Sequence, residues 1–235
     1  DGSVLAIGAL YSDGNGSNSG HVRVFKYDNG SNSWNQRGAD IDGEADQDKS
    51  GYSVSLSSDG NILAIGAHNN DGNGSNSGHV RVFEYEDESW VQRGTDIDGE
   101  AADDQSGWSV SLSLDGSVLA IGALYSDGNG SNSGHVRVFK YDNGSNSWNQ
   151  RGADIDGEAD QDKSGYSVSL SSDGNILAIG AHNNDGNGSN SGHVRVFEYE
   201  DESWVQRGTD IDGEAADDQS GWSVSLSLDG SVLAI

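Results

Sequence analysis

The sequence contains no cysteine, methionine or proline. Without cysteine, disulfides, zinc–thiolate sites and thiol catalysis are all excluded. The missing methionine predicts that the chain is a processed or internal piece of a longer protein. No apolar run is long enough to cross a bilayer and no signal peptide is present, so membrane insertion is not expected.

Basic residues are also scarce, with 12 against 39 acidic residues and a formal net charge of −27. A chain of this charge is not expected to bind nucleic acid or anionic membranes, which require a basic surface. The charge fits an extracellular or cell-surface protein in a cation-rich setting, although simple solubility would account for it equally well.

The chain is built from a repeat. The run DGSVLAIGAL starts at Asp1 and returns at Asp115, and the related run DGNILAIGAH starts at Asp59 and returns at Asp173. Residues 115–228 copy residues 1–114 without a change, so the period is a pair of similar but unequal units. The expected units are 1–58, 59–114, 115–172 and 173–228, with 229–235 starting a further one.

Each unit predicts four short strands. In the first unit SVLAIGA (3–9) is apolar or small on both faces, and HVRVFKY (21–27) is β-branched and aromatic. A weaker, more polar strand is expected at WNQRGADI (34–41). YSVSLS (52–57) alternates between apolar residues and serine. Asp59-Gly60 follows it and is a strong hairpin signal.

Four antiparallel strands repeated at this interval are typical of a β-propeller blade. We therefore predict an all-β fold of four blades, forming an open or continuing array, with YSVSLS innermost, then the LAIGA strand, then HVRVF, and the tryptophan strand outermost. Stacking the blades face to face would bury both apolar faces. A β-solenoid is the alternative, but its coils are usually shorter and lack this hairpin pattern.

The motifs W-x-Q-R-G-x-D-I-x-G, S-G-[YW]-S-V-S-L-S, D-G-x-x-L-A-I-G-A and G-H-V-R-V-F-x-Y together resemble the FG-GAP repeat of integrin α-subunits and secreted surface proteins. Ser50-Gly51 stands at the Phe-Gly position and Ile65-Gly66-Ala67 at the Gly-Ala-Pro position. The resemblance covers the whole chain and implies a propeller, usually of seven blades, with adhesive or ligand-binding roles. The family's proline is missing, and the integrin calcium loop is reduced to Ser57–Gly60, so calcium is not expected there.

The acidic connection DIDGEADQD is the better calcium candidate. It places carboxylates at relative positions 1, 3, 5 and 9, which resembles the alternate oxygen ligands of a calcium loop. A solvated acidic connection remains the alternative, because the glycine and the bidentate glutamate of such loops are out of place. The candidate ligands are Asp40, Asp42, Glu44 and Asp48; Asp96, Asp98, Glu100 and Asp104; Asp154, Asp156, Glu158 and Asp162; and Asp210, Asp212, Glu214 and Asp218.

Two further patterns lie in the loops. Asp13, Asn15 and Ser17 form a second, weaker calcium candidate for which a local turn is favoured. Asn-x-Ser sequons predict glycosylation if the protein is eukaryotic and secreted. The sequons are at Asn15, Asn29, Asn73, Asn129, Asn143 and Asn187.

Catalytic motifs are absent: there is no nucleophile elbow, phosphate-binding loop or paired-histidine zinc motif. The histidines that start the HVRVF strands, beginning with His21, are interpreted as structural surface residues. His68 and His182 occur only in alternate units, which a shared catalytic role would not predict. The tryptophans that start the outer strands, such as Trp34, are interpreted as packing residues rather than sugar platforms.

Three functions fit these observations. The first is a structural or adhesive extracellular protein, in which copies of the chain join into a filament or a larger ring. The second is a secreted, calcium-dependent module that binds glycans or cell-surface proteins. The third, an engineered symmetric propeller, is disfavoured by the unequal units and the lack of a tag. An enzyme is the least supported class. Because 229–235 repeats residues 1–7, closure into a four-bladed ring is not expected.

Overall fold

The computed structural model describes residues 2–235, which form strands and turns only. No helix capable of crossing a membrane occurs in this range.

The strands form four sheets, here called blades 1 to 4, and a terminal hairpin. Blade 1 contains β1 (Val4–Ala9), β2 (His21–Asp28), β3 (Ser33–Gln36) and β4 (Ile41–Asp42). Blade 2 contains β5 (Ser53–Leu56), β6 (Ile62–Ala67), β7 (His79–Glu86), β8 (Ser89–Gln92) and β9 (Ile97–Asp98). Blade 3 contains β10 (Ser109–Leu112), β11 (Val118–Ala123), β12 (His135–Asp142), β13 (Ser147–Gln150) and β14 (Ile155–Asp156). Blade 4 contains β15 (Ser167–Leu170), β16 (Ile176–Ala181), β17 (His193–Glu200), β18 (Ser203–Gln206) and β19 (Ile211–Asp212). The terminal hairpin contains β20 (Ser225–Leu226) and β21 (Leu233–Ala234).

The strand order within each blade confirms the prediction. In blade 2 the antiparallel order is β5-β6-β7-β8, which runs from the serine-rich strand to the tryptophan strand. The innermost strands of successive blades pack against one another, and Leu112 donates its backbone N–H to Ser55 Oγ across this contact at 3.0 Å. Blades 2 to 4 each take their innermost strand from the end of the preceding sequence unit, so these sheets are offset from the units. Blade 1 has no such strand among the described residues.

The outer strand expected over residues 34–41 is not continuous. In blade 1 it divides into β3 and β4, which both pair with β2. Phe25 pairs with Gln36 and Val22 pairs with Ile41, so four residues of the outer strand lie opposite two of β2. This mismatch is a bulge, and it bends the edge of the sheet. Gly38 lies within the bulge at φ 76°, against the Trp90 indole of the next blade.

Three apolar cores lie between the blades, as the face-to-face prediction requires. Between blades 1 and 2, Val22 and Val24 pack against Leu63 and Ile65, and all four are essentially buried. The opposite face of blade 2 packs against blade 3 through Ala64 and its neighbours. Each internal strand therefore buries both faces, which explains why the LAIGA strands are apolar throughout.

The outer edges of the blades are joined by a repeated polar contact. Trp90 Nε1 donates to the carbonyl of Arg37 in the preceding blade at 2.8 Å. The Arg37 guanidinium lies 3.9 Å from the centre of the Tyr85 ring and donates to the Gly60 carbonyl at 2.7 Å. Trp148 and Trp204 repeat the tryptophan contact. Trp90, Trp148 and Trp204 are therefore packing residues, as predicted.

The glycines of the two family motifs meet between blades. A Cβ on Gly66 would lie 2.1 Å from the carbonyl oxygen of Gly107 in the next blade. Gly8 and Gly51 make the same contact one blade earlier. Only glycine allows the two backbones to approach this closely.

Candidate functional site

The acidic connection of each blade is held by the Gly/Asn-rich loop of the same blade. Asn15 Nδ2 donates to the Gly43 carbonyl at 3.1 Å, and the Gln47 N–H donates to the Ser17 carbonyl at 2.8 Å. Asp13 Oδ1 accepts the N–H of Asn18 at 2.7 Å, so this loop forms the local turn favoured from its sequence. The two loops form one hydrogen-bonded platform at the end of the sheet.

The last carboxylate of the predicted calcium loop faces inward. Asp48 is 3% exposed, and its Oδ2 accepts the N–H of Ala45 and the Nδ2 of Asn70, each at 3.0 Å. Burial raises the pKa of Asp48. Asp104 and Asp162 occupy the same position in the next two blades and cap Ala101 and Ala159 in the same way. This carboxylate therefore stabilises the loop itself.

Glu44 turns instead toward the next blade. There its carboxylate, His79 and Asp96 bring ligand atoms within 4.8 Å of one another. His79 begins β7, and Asp96 precedes β9, which pairs with the start of β7. A Glu–His–Asp group of this kind, which could hold a metal ion, occurs three times in residues 2–235. The groups are Glu44, His79 and Asp96; Glu100, His135 and Asp154; and Glu158, His193 and Asp210.

Burial and nearby charges determine the protonation of the residues in this group. Burial lowers the pKa of His79 to about 4, with the nearby Arg81 adding to the effect, so the imidazole is neutral at neutral pH. Burial also raises the pKa of Glu44, and the neighbouring carboxylates add to that rise. Arg81 Nη1 lies 3.5 Å from Glu44 Oε1 and offsets part of the negative charge.

The four carboxylates expected to share one ion are not brought together. Across the described residues, each close group takes one carboxylate from each of two successive loops. Asp42 uses its backbone carbonyl to accept from Arg81 Nη2 at 2.7 Å, and Asp40 Oδ1 accepts from Gln36 Nε2 at 2.6 Å. Calcium binding by a single loop stays a prediction. The hairpin carboxylate Asp59 accepts from Ser57 Oγ and the N–H of Asn61, so it serves the turn.

The interpretation of the strand-initial histidines as surface residues is wrong for His79, His135 and His193, which are 2%, 2% and 1% exposed. His79 lies at the start of β7, with Glu44 of blade 1 beside it. A signal was present in the sequence: in an antiparallel sheet the start of HVRVF pairs with the end of the outer strand, which places His79 opposite Asp98. The third member of the group comes from another blade and has no such local signal.

A row of aromatic rings lies just before the innermost strands in the chain. It consists of Tyr52, Trp108, Tyr166 and Trp222, one from each of the three complete blades and one from the segment leading into the terminal hairpin. Successive ring centres lie between 4.6 and 5.6 Å apart. This aromatic row lies beside the innermost strands of the blades. Sequence reasoning missed it, because it forms only when the blades stack.

His68 and His182 insert into the aromatic row. The His68 ring lies 4.3 Å from that of Tyr52 and 5.0 Å from that of Trp108. It is 4% exposed, and its Nδ1 has no hydrogen-bond partner among the described residues. Burial lowers the pKa of His68 to about 4, with Lys49 contributing. The equivalent position in blade 3 is the buried Leu124.

The six sequons fall into two structural classes. Asn73 Nδ2 donates to the carbonyls of Gly99 and Glu100 at 2.9 and 3.0 Å, and the equivalent Asn15, Asn129 and Asn187 make similar contacts. Asn29 lies exposed in the turn between β2 and β3, and Asn143 lies exposed in the turn between β12 and β13. Glycosylation stays a prediction at all six positions.

The chain belongs to the FG-GAP repeat family, which matches residues 40–83, 91–139 and 154–197, more than half of its length. Two matched segments begin at an acidic connection and the other begins on β8, and all three end on the HVRVF strand of the following blade. This assignment confirms the resemblance drawn from the motifs. A search of curated proteins gave no match.

Solved structures of similar fold include the periplasmic gluconolactonase PpgL of Pseudomonas aeruginosa, with a TM-score of 0.63 and 20% identity over 98% of this chain and 61% of that one. A protein assigned as a 6-phosphogluconolactonase from Bacteroides fragilis matches with a TM-score of 0.55 and 13% identity, over 89% of this chain and 55% of that one. One assigned likewise from Bacteroides uniformis gives 0.54 and 14%, over 99% of this chain and 74% of that one. At these identities the likeness shows the fold alone, and the chain spans about three fifths of the length of the first.

Proposed function

We propose that the chain is a non-enzymatic structural or adhesive module of an extracellular or cell-surface assembly, in which further blades cover its two outer faces. The observation that carries this proposal is the contrast between equivalent residues. Leu5 and Ile7 of blade 1 are 44% and 42% exposed, whereas their equivalents Leu63 and Ile65 are essentially buried.

The opposite end of the array carries the complementary surface. Ile211 of blade 4 is exposed, while its equivalents in the first three blades are buried. Trp222, Leu228 and Val232 of the segment around the terminal hairpin are exposed as well. These are the two halves of the interface used between internal blades, so a second copy of the chain is the occupant that fits. An interface of unlike halves that does not close on itself gives a fibre, and one that closes gives a ring.

Concentration-dependent native mass measurement with negative-stain microscopy tests this proposal. The expected result is filaments or rings that grow with concentration, and that are lost on Ile7→Glu. Val91→Glu is the matched control, because Val91 is equally exposed but lies on an outer strand. A discrete particle of about 24.6 kDa at every concentration would refute self-assembly.

The second candidate, a secreted glycan- or protein-binding module, is favoured by the aromatic row. Tyrosine and tryptophan offer an apolar face with a polar edge, which suits sugar rings and protein side chains. Isothermal titration with soluble oligosaccharides should show binding that Trp108→Ala abolishes. Trp148→Ala is the control, because Trp148 lies in the outer contact between blades. Unchanged oligosaccharide binding in Trp108→Ala would exclude the aromatic row as the binding site.

Calcium dependence and secretion are parts of this proposal with their own tests. Oxygen ligands in the acidic loops support calcium, and adding it after chelation should raise the melting temperature. An unchanged temperature would exclude calcium. In a eukaryotic secretory host, glycans mapped by mass spectrometry are expected on Asn29 and Asn143. Asn73 should be free of glycan in folded protein, because its Nδ2 uses both hydrogens in bonds to carbonyls.

A further inference from the structure

We propose that the Glu–His–Asp groups between blades are binding sites for a zinc-type transition metal, and that the sites of His79 and His193 bind it more tightly than the site of His135. This inference is independent of the proposed assembly. Three features of the structure support it: the donor atoms, a nearly buried histidine without a hydrogen bond, and a difference between alternate blades.

The histidine is the observation that separates this group from an ordinary acidic cluster. His79 is almost fully buried, yet its side chain makes no hydrogen bond within residues 2–235. Its Nδ1 faces Glu44 Oε2 at 3.9 Å, which is beyond hydrogen-bond distance. A metal ion between Nδ1 and the two carboxylates would give this nitrogen a direct ligand bond.

The carboxylates are held in position with one oxygen left available. Asp96 Oδ1 accepts from Gln92 Nε2 at 2.6 Å, and Glu44 Oε1 faces Arg81. Metal sites commonly fix their ligands by contacts of this kind from surrounding residues. The remaining oxygens and the imidazole nitrogen give two oxygen donors and one nitrogen donor. Glu44 is partly exposed, so its side chain can move inward to close the distances of up to 4.8 Å.

This donor set selects the class of metal. Calcium and magnesium take oxygen ligands almost entirely, whereas imidazole suits zinc, copper, nickel and iron. Zinc binds three protein ligands and a water in many sites, at about 2.0–2.2 Å from nitrogen and oxygen donors. Asp98 and Asp48 contribute further negative charge beside Glu44, which favours a divalent cation despite Arg81.

Alternate blades differ at one residue next to the histidine. In blade 3 the Oγ of Ser126 is hydrogen-bonded to His135 Nδ1 at 2.9 Å. In blade 2 the equivalent Asn70 turns away and donates to Asp48, which leaves the Nδ1 of His79 without a hydrogen bond. Blade 4 repeats blade 2 through Asn184 and Asp162. A metal at His135 must break a hydrogen bond that is absent at His79.

Titration calorimetry with zinc chloride alone and with calcium chloride alone, on chelator-treated protein, tests the proposal. We expect two equivalents of zinc bound tightly, and a third about tenfold more weakly because the lost hydrogen bond is worth about one decade in affinity. Calcium should not displace zinc at equal concentration. Cobalt(II) should give the visible absorption of a low-coordinate site.

Variants separate these sites from unspecific binding to an acidic surface. His79→Asn with His193→Asn should remove the two tight equivalents. His21→Asn is the control, because His21 belongs to none of the three groups. Ser126→Asn should strengthen the third site about tenfold, and as a gain of binding it cannot result from misfolding. No zinc binding, displacement by equal calcium, or three equal sites would each overturn the proposal.

Discussion

Replacing His68 by leucine should make the protein more resistant to acid. The folded pKa of His68 is about 4, against 6.5 for an unperturbed histidine. Well above pH 6.5 the residue is neutral in both states and the full stability is present. As the pH falls from 6.5 toward 4, the unfolded state binds a proton that the folded state cannot, and stability is lost. Leucine carries no such linkage.

The magnitude follows from the two pKa values. The free energy of unfolding lost through His68 is about 0.2 kcal/mol at pH 7 and about 2 kcal/mol at pH 5. The comparison should stop near pH 5, because the sequence pI of about 4.1 favours precipitation below it. Leucine fits the site, since Leu124 occupies the equivalent position and is almost fully buried.

Urea unfolding followed by far-ultraviolet circular dichroism, from pH 5 to pH 8, measures this difference. Tryptophan fluorescence is unsuitable, because Trp108 contacts His68 directly. Leu124→His is the matched control and should introduce an acid-dependent loss of similar size in blade 3. A difference between His68→Leu and the parent that does not change with pH would refute the reasoning. It would show that the flanking rings stabilise the protonated imidazole as much as burial disfavours it.

Two further predictions concern the contacts between blades. Trp90→Phe keeps an aromatic ring but loses the bond to the Arg37 carbonyl, and should cost about 1 kcal/mol in urea unfolding. Trp34→Phe is the control and should cost little stability, since Trp34 is exposed and donates to no preceding blade in the described chain. Equal losses of stability in the two variants would show that the hydrogen bond from Trp90 is not the cause. Gly66→Ala should lower the free energy of unfolding by about 1–3 kcal/mol or more, because its Cβ would overlap a carbonyl of the next blade. Gly30→Ala is the control, because Gly30 lies in an exposed turn. A neutral Gly66→Ala would show that the blades can separate without loss.

Local patterns in the sequence were sufficient to predict the blades. Period-two alternation in YSVSLS, the two-sided apolar LAIGA strand and the Asp59-Gly60 turn define the strands and their order, and all three are properties of a few adjacent residues. The bulge between β3 and β4 was not predictable in this way. Blade 4 forms the same bulge at Gly208, which has no residue of a neighbouring blade within 4 Å, so the contact of Gly38 with Trp90 accompanies the bulge but does not cause it.

The candidate site shows the same limit more clearly. Carboxylate spacing within one loop predicted that Asp40, Asp42, Glu44 and Asp48 share an ion. Strand pairing and blade stacking instead bring Glu44 to His79 and Asp96, from two later segments. Spacing can identify which residues are ligand types. It cannot identify which of them meet when each blade contributes only part of a site to its neighbour.

The sequence difference between the two kinds of unit has a structural consequence. After the LAIGA strand, one unit continues with Leu124, Tyr125 and Ser126, and the other with His68, Asn69 and Asn70. Leu124 and His68, the first residues of the two triplets, are both buried, and His68 contacts the aromatic row. The third residue determines whether Nδ1 of the neighbouring strand-initial histidine has a hydrogen bond. One three-residue difference therefore changes two separate environments at once. Because residues 115–228 repeat residues 1–114 without change, that alternation is carried along the array, and any partner or cation that contacts it meets two kinds of site in turn.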